Sequence, residues 1–190
     1  MQVIENFCRY DAAKLISGGE IVAFFQGRSE SGPRAFGNRS ILFNPIIGNM
    51  NDVVNKLKGR EKYRPVAGSI LLENVNEWFD MNGICDSQYM SYAVKVLDNK
   101  IGKIPAIVHV DNTCRIQTVT KKQNKHYYDL IYDFYKITKV PILGNTSFNL
   151  AGDPLVETLE DAYNTLLKSK IKYLVLPEKN QLVINEHSWN

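Results

Sequence analysis

A chain of 190 residues, 44% apolar and 11% aromatic, can bury a core of its own and reads as one domain over residues 1–190. No apolar run nears the roughly 20 residues that cross a bilayer, and the N-terminus lacks the basic-then-apolar order of a signal peptide, so a cytoplasmic, non-membrane protein is expected. The net charge of +3 is held unevenly: residues 27–64 carry eight Lys/Arg against three acids, while the rest carries 15 basic and 17 acidic residues. Such local basicity suits an anionic ligand better than a generally cationic surface.

In chain order, residues near Asp11–Ser17 predict a short helix stopped by Gly18-Gly19, and the apolar run Ile21–Phe25 predicts a buried strand. The segment Gly27–Ser40, "GRSESGPRAFGNRS", follows with no helix or strand period, and Ser40–Phe43 predicts the next strand. Asn49 is placed to cap a helix to about Leu57, with Met50, Val53, Val54 and Leu57 on one face. "KGREKYRP" is a basic loop ended by Pro65, and Val66–Leu72 and Tyr92–Val96 predict strands. "AIVHV" (Ala106–Val110) and "RIQTV" (Arg115–Val119) predict two more, joined by a turn at "DNTC". Tyr127, Leu130, Ile131, Phe134 and Ile137 have helical spacing. Val140–Leu143 predicts a strand leading into the polar loop "GNTSFNLAGDP". Thr158 and Asp161 resemble a capping box ahead of a helix to about Ser169, and "YLVL" and "QLVI" predict the last strands. Helices and strands alternate only in part, so the expected class is α/β (α+β mixed), an open mixed sheet with helices packed on it.

Four stretches carry chemistry. In Gly27–Ser40, Arg28, Arg34 and Arg39 offer planar forks that pair two phosphate oxygens at once, and Gly27, Gly32 and Gly37 let the backbone approach a ligand. A solvated turn with surface ion pairs is the plainer alternative. In "KLKGREKYRP", Lys56 and Lys58 either offset the negative end of a helix or join a site, whereas Arg60 and Arg64 lie beyond the helix and are better placed to meet a ligand. In "HVDNTCRIQTV", Asp111 either holds a cation or an arginine, or simply makes an Asx-turn, and Arg115 flanks it. His109, inside an apolar run, reads as a buried, satisfied side chain. In "NTSFN", Asn145, Ser147 and Asn149 either bind a polar ligand or cap a turn. Walker A, GxGxxG, HExxH and Ser-His-Asp patterns are absent, as is a CxxC pair among Cys8, Cys85 and Cys114. No metal site is expected from side-chain spacing. Charge stabilisation is the chemistry this composition favours.

Together "FFQGRSESGPRAFGNRSIL", "REKYRPVAGSIL", "HVDNTCRIQTV" and "NTSFNLAGDPLVETLEDA" resemble, in order, the C-terminal region of carbamoyltransferases of the nodulation and antibiotic O-carbamoylation type, over about residues 20–176. The resemblance implies a YrdC-like open twisted mixed sheet flanked by helices. It implies an activity too: carbamoyl phosphate and ATP, with Mg2+, giving carbamoyl-adenylate and pyrophosphate. An ASKHA-like N-terminal domain or subunit, absent from this sequence, would pass the carbamoyl group to a hydroxyl. Without that part's metal-binding histidines, this chain alone is not expected to complete transfer. Ligand roles carry over to Arg34, Arg60 and Arg64 as the catalytic cations and to Arg28, Arg39, Asp111, Arg115, Asn145, Ser147 and Asn149 as substrate- and nucleotide-binding residues. The chain departs from the family pattern at Ser31, Phe36, Gly68, Asn112 and Cys114, and Ile46 stands where an arginine is usual. A basic nucleic-acid-binding module and a non-catalytic nucleotide-binding subunit, docking through Trp78 or Trp189, are the competing readings. The compactness of the basic stretch weighs against nucleic acid.

Overall fold

The computed structural model describes residues 1–186; His187 and Trp189 lie outside them. Among the described residues, one sheet is built from β1 (Gln2–Ile4), β2 (Val22–Phe25), β3 (Arg39–Phe43), β4 (Ala67–Leu71), β5 (Phe79–Asp80), β6 (Ala93–Val96), β7 (Thr113–Val119), β8 (Ile142–Ser147), β9 (Tyr173–Leu176) and β10 (Gln181–Ile184). The α-helices are α1 (Arg9–Ser17), α2 (Met50–Leu57), α3 (Lys125–Thr138) and α4 (Leu159–Lys168). In space the strands run β1-β10-β9-β2-β3-β8-β4-β7-β6-β5. β2 pairs parallel with β9 and β4 with β7, while the remaining pairs are antiparallel. This is the open mixed sheet expected.

Burial explains the local choices. β3 and β4 are buried along their whole length, including the polar residues Arg39 and Ser40 in one and Ser69 in the other. Alternation sorts β2 between two cores: Val22 and Phe24 join the cluster packed by α1 and α3, and Ala23 joins the one packed by α4. In α3, Tyr127, Leu130, Ile131 and Phe134 are buried, and the Asn124 side chain caps the helix by accepting from Tyr127 N at 3.1 Å. Arg9 of α1 bonds Asp133 and Asp129 of α3 at 2.9 and 3.2 Å, joining the two helices at their rim. In α4 the capping box closes fully: Thr158 Oγ1 accepts from Asp161 N (3.1 Å), and Asp161 Oδ2 from Thr158 N (2.9 Å).

One strand expectation is corrected. Ala106–Val110 is not a strand: Pro105–Ile107 forms a 3-10 turn, and the His109 and Asn112 amides close a tight bend before β7. Pro105 lacks the N–H a ladder needs, and Ala106 and Ile107 reach the core from the turn instead. Asn112 sits at φ 62, left-handed backbone where the family pattern has glycine. The polar run after Leu143 begins inside β8, which continues to Ser147. The short strands β1 and β5 were not foreseen. Trp78, offered as an exposed docking residue, is instead buried with Lys100 over its ring.

Candidate anion-binding site

The loop between β2 and β3 is organised by an acid and an arginine that face inward. Glu30 Oε1 accepts from the amides of Phe36 (2.7 Å) and Asn38 (2.8 Å). Gln26 Nε2 reaches Gly37 O at 2.7 Å. Gly37 is obligatory here: φ is 102, and a Cβ would lie 2.2 Å from the Tyr127 ring. Arg39, opposite Phe25 in the ladder, is buried and donates to the carbonyls of Gln26 (2.6 Å), Asn38 (3.1 Å), Gly27 (3.2 Å) and Glu157 (3.0 Å), with its guanidinium 3.6 Å above the Phe25 ring. So fixed, the loop holds Arg34 over a cavity of about 380 Å³.

The opposite wall comes from the end of α2. Asn55, fully buried, donates to the carbonyls of Lys62 (3.0 Å) and Arg64 (2.9 Å) and accepts from Arg60 Nε at 2.5 Å. One side chain thereby shapes the whole basic loop. Lys58 turns inward at the helix end, 3% exposed, and its ammonium donates to Ser147 O, and to Ser147 Oγ at 3.3 Å and Asn149 Oδ1 at 2.9 Å. The floor comes from the sheet. Ala67 of β4 pairs with both Arg115 of β7 and Asn145 of β8, so these two side chains stand on one face, flanking Ala67.

Arg34, Arg60, Arg64, Arg115 and Lys58 therefore surround one space, with Asn145, Ser147 and Asn149 beside them. They repel one another. Burial, then Arg64 and Arg115, push the Arg60 guanidinium below its usual range; burial and then Arg34 do the same to Arg115. Burial and then Arg60 push Lys58 down to about 7. Glu61, on the cavity wall, is ion-paired with Arg64 at 2.7 Å. Two donors on residues that line this space, Arg60 Nη2 and Arg115 Nε, are buried without a partner, and so is an acceptor, Asn145 Oδ1. Buried polar atoms are nearly always paired, so the two donors suit a ligand with oxygens to offer.

Seven of the ten residues singled out in the sequence line the cavity: Arg34, Arg60, Arg64, Arg115, Asn145, Ser147 and Asn149. Three do not line it. Arg28 is exposed outside it. Arg39 is spent on main-chain carbonyls. Asp111 makes the Asx-turn, accepting from Thr113 N (3.0 Å) and Oγ1 (2.7 Å), and those bonds hold its carboxyl below the usual range. Lys58 was left ambiguous by its position at a helix end, and Asn55 was missed, since a lone Asn inside a helix carries no signal. His109 is half-buried and bonded to Thr113 Oγ1 at 3.2 Å, as a structural side chain. Among the described residues no three metal-ligating side chains gather, and Asp111 stands apart. A Mg2+ carried by nucleotide phosphates would need no such cluster, and no step is assigned to one.

The sheet and helices define a YrdC-like α/β domain. The same fold occurs in full-length HypF in its phosphate- and nucleotide-bound form (TM-score 0.60, 16% identity, covering 97% of this chain and 22% of that one). It also occurs in P. abyssi Sua5 complexed with L-threonine (TM-score 0.62, 15% identity, 91% and 47% covered). The family model of the carbamoyltransferase C-terminus matches residues 13–183, and the chain belongs to that family. It is 43% identical to nodulation protein NolO of Bradyrhizobium diazoefficiens over 167 residues, 87% of this chain and 30% of that protein. To nodulation protein U of Azorhizobium caulinodans it is 38% identical over 142 residues, 75% of this chain and 25% of that protein. The chain thus spans 25–30% of the length of these relatives. Among its described residues no helix is long and apolar enough to cross a membrane.

Proposed function

We propose that this chain is the carbamoyl-activating part of an O-carbamoyltransferase, making carbamoyl-adenylate from carbamoyl phosphate and ATP for an ASKHA-like domain or subunit to pass to a hydroxyl. The observation that carries the reading is the convergence of Arg34, Lys58, Arg60, Arg64 and Arg115 on one cavity, two of them with unpartnered donors. Both reactants are strongly anionic and repel each other in water. A cluster of cations that already repel one another is relieved by such ligands and lets the two approach.

Atom balance sets the order of events. Water cleaves the carbamoyl–phosphate bond, giving carbamate and inorganic phosphate. A carbamate oxygen then attacks the α-phosphorus of ATP, and pyrophosphate leaves with the electron pair of the broken P–O bond. The protein supplies no covalent nucleophile in this scheme: Ser147, the one serine on the cavity wall, donates its hydroxyl to Asn149 at 2.7 Å. Its contribution is positioning and charge neutralisation, as in phosphoryl transfer generally.

The test is pyrophosphate release that requires ATP and carbamoyl phosphate together. Absence of release together with absence of ATP binding would overturn the reading.

A further inference from the structure

Asn145 is 1% exposed, and its orientation is dictated by main-chain carbonyls. Ala35 O can only accept, so the amide nitrogen of Asn145 must face it, at 3.1 Å. By the same logic Gln117 turns its Nε2 to Phe36 O at 2.9 Å, which leaves Gln117 Oε1 to accept the Ser69 hydroxyl at 2.7 Å. Ser69, having given its proton, accepts from Asn145 Nδ2 at 2.9 Å. Both Asn145 amide hydrogens are committed. Its Oδ1 remains, buried and unpartnered, on a residue that lines a cavity otherwise equipped to hold anions.

The phosphate oxygens that suit Arg60 Nη2 and Arg115 Nε cannot satisfy Asn145 Oδ1, because an ionised oxygen only accepts. The cavity therefore asks for a ligand with anionic oxygens and an N–H or O–H close to them. A carbamoyl group bonded to phosphate has that pairing: its NH2 lies two bonds from the oxygen bridging to phosphorus. We propose that Asn145 Oδ1 receives an N–H of the carbamoyl NH2 and so selects carbamoyl over acetyl and other acyl phosphates. The inference rests on the functional reading above and deepens it. The same NH2 persists in carbamate and carbamoyl-adenylate, so the contact lasts through activation. The Ala35–Asn145–Ser69–Gln117–Phe36 chain fixes the acceptor in advance.

The experiment is equilibrium titration of the whole chain with carbamoyl phosphate and with acetyl phosphate, which puts a methyl where the NH2 was. Acetyl phosphate is expected to bind about 10- to 100-fold more weakly, the effect of one buried acceptor left unpaired. In Asn145→Leu the ratio is expected to fall to about one. Equal binding to the wild-type chain overturns the inference and leaves the functional reading standing, whereas no binding of either overturns both. A variant that keeps the carbamoyl-to-acetyl ratio but loses AMP assigns the acceptor to a nucleotide hydroxyl or amine and also overturns it. The wild-type comparison needs no variant, so it decides even where Asn145→Leu does not fold.

Discussion

Lys58 sits between opposed demands. Three acceptors around its nitrogen favour the charged form, while burial and Arg60 push it down to about 7 from an ordinary 10.5. Between pH 7 and 10.5 the unfolded chain holds a proton that the folded, anion-free chain has given up, so this group makes stability rise with pH across that window. Lys58→Met should flatten that rise, read as melting temperature at pH 7 and 9. A bound anion reverses the balance by recharging the ammonium. Binding of sulfate, which carries no proton of its own at pH 8, is thus expected to take up a proton, seen as a calorimetric heat that changes with the buffer's ionisation enthalpy in wild type and not in Lys58→Met. Heats independent of buffer in the wild type would mean that Lys58 is charged before the anion arrives. Arg34 and Arg39 make a second contrast. Arg34→Ala removes an exposed side chain and should change stability by less than about 0.5 kcal/mol while abolishing use of carbamoyl phosphate. Arg39→Ala strips four carbonyls of their donor and should cost about 3 kcal/mol in denaturant unfolding. Residue type and spacing alone rank these two arginines alike, because a motif counts guanidinium groups but not their direction. The direction of Arg39 comes from its place as the first residue of β3, opposite Phe25.

At the scale of elements, Asn55 links helix to loop. Asn55→Ala frees the Lys62 and Arg64 carbonyls and the Arg60 Nε, so anion affinity should fall about 10-fold even though no ligand contact has been removed. An affinity unchanged beside a lowered melting temperature would make Asn55 purely structural. α2, α3 and the α4 capping box were legible because each has a period or a paired signal, but in α2 Asn49 makes no side-chain cap bond and Val53, expected on the apolar face, is exposed. Ala106–Val110 was misread because five apolar residues fit a strand or a buried turn equally well, and Pro105 outweighs them. β8 outran its apolar run because Asn145 reaches Ala35 O and Ser147 receives the Lys58 ammonium, partners distant in sequence that no local pattern records.

For the molecule as a whole, the open mixed sheet was legible from the order of elements, and the basic stretch 27–64 announced a cluster of cations. Convergence was not, since Arg34, Lys58, Arg115 and Ser147 are joined by the strand order β3-β8-β4-β7, which no single segment encodes. Its middle strands come from widely separated parts of the chain: β8 lies between β3 and β4, about a hundred and about seventy residues before it. Loop closures of that length are slow steps in folding. Diluted from denaturant, the chain should regain helical circular dichroism first and the capacity to hold pyrophosphate only later, when β8 has slotted between its neighbours. Ligand capture would then serve as a clock for that last insertion.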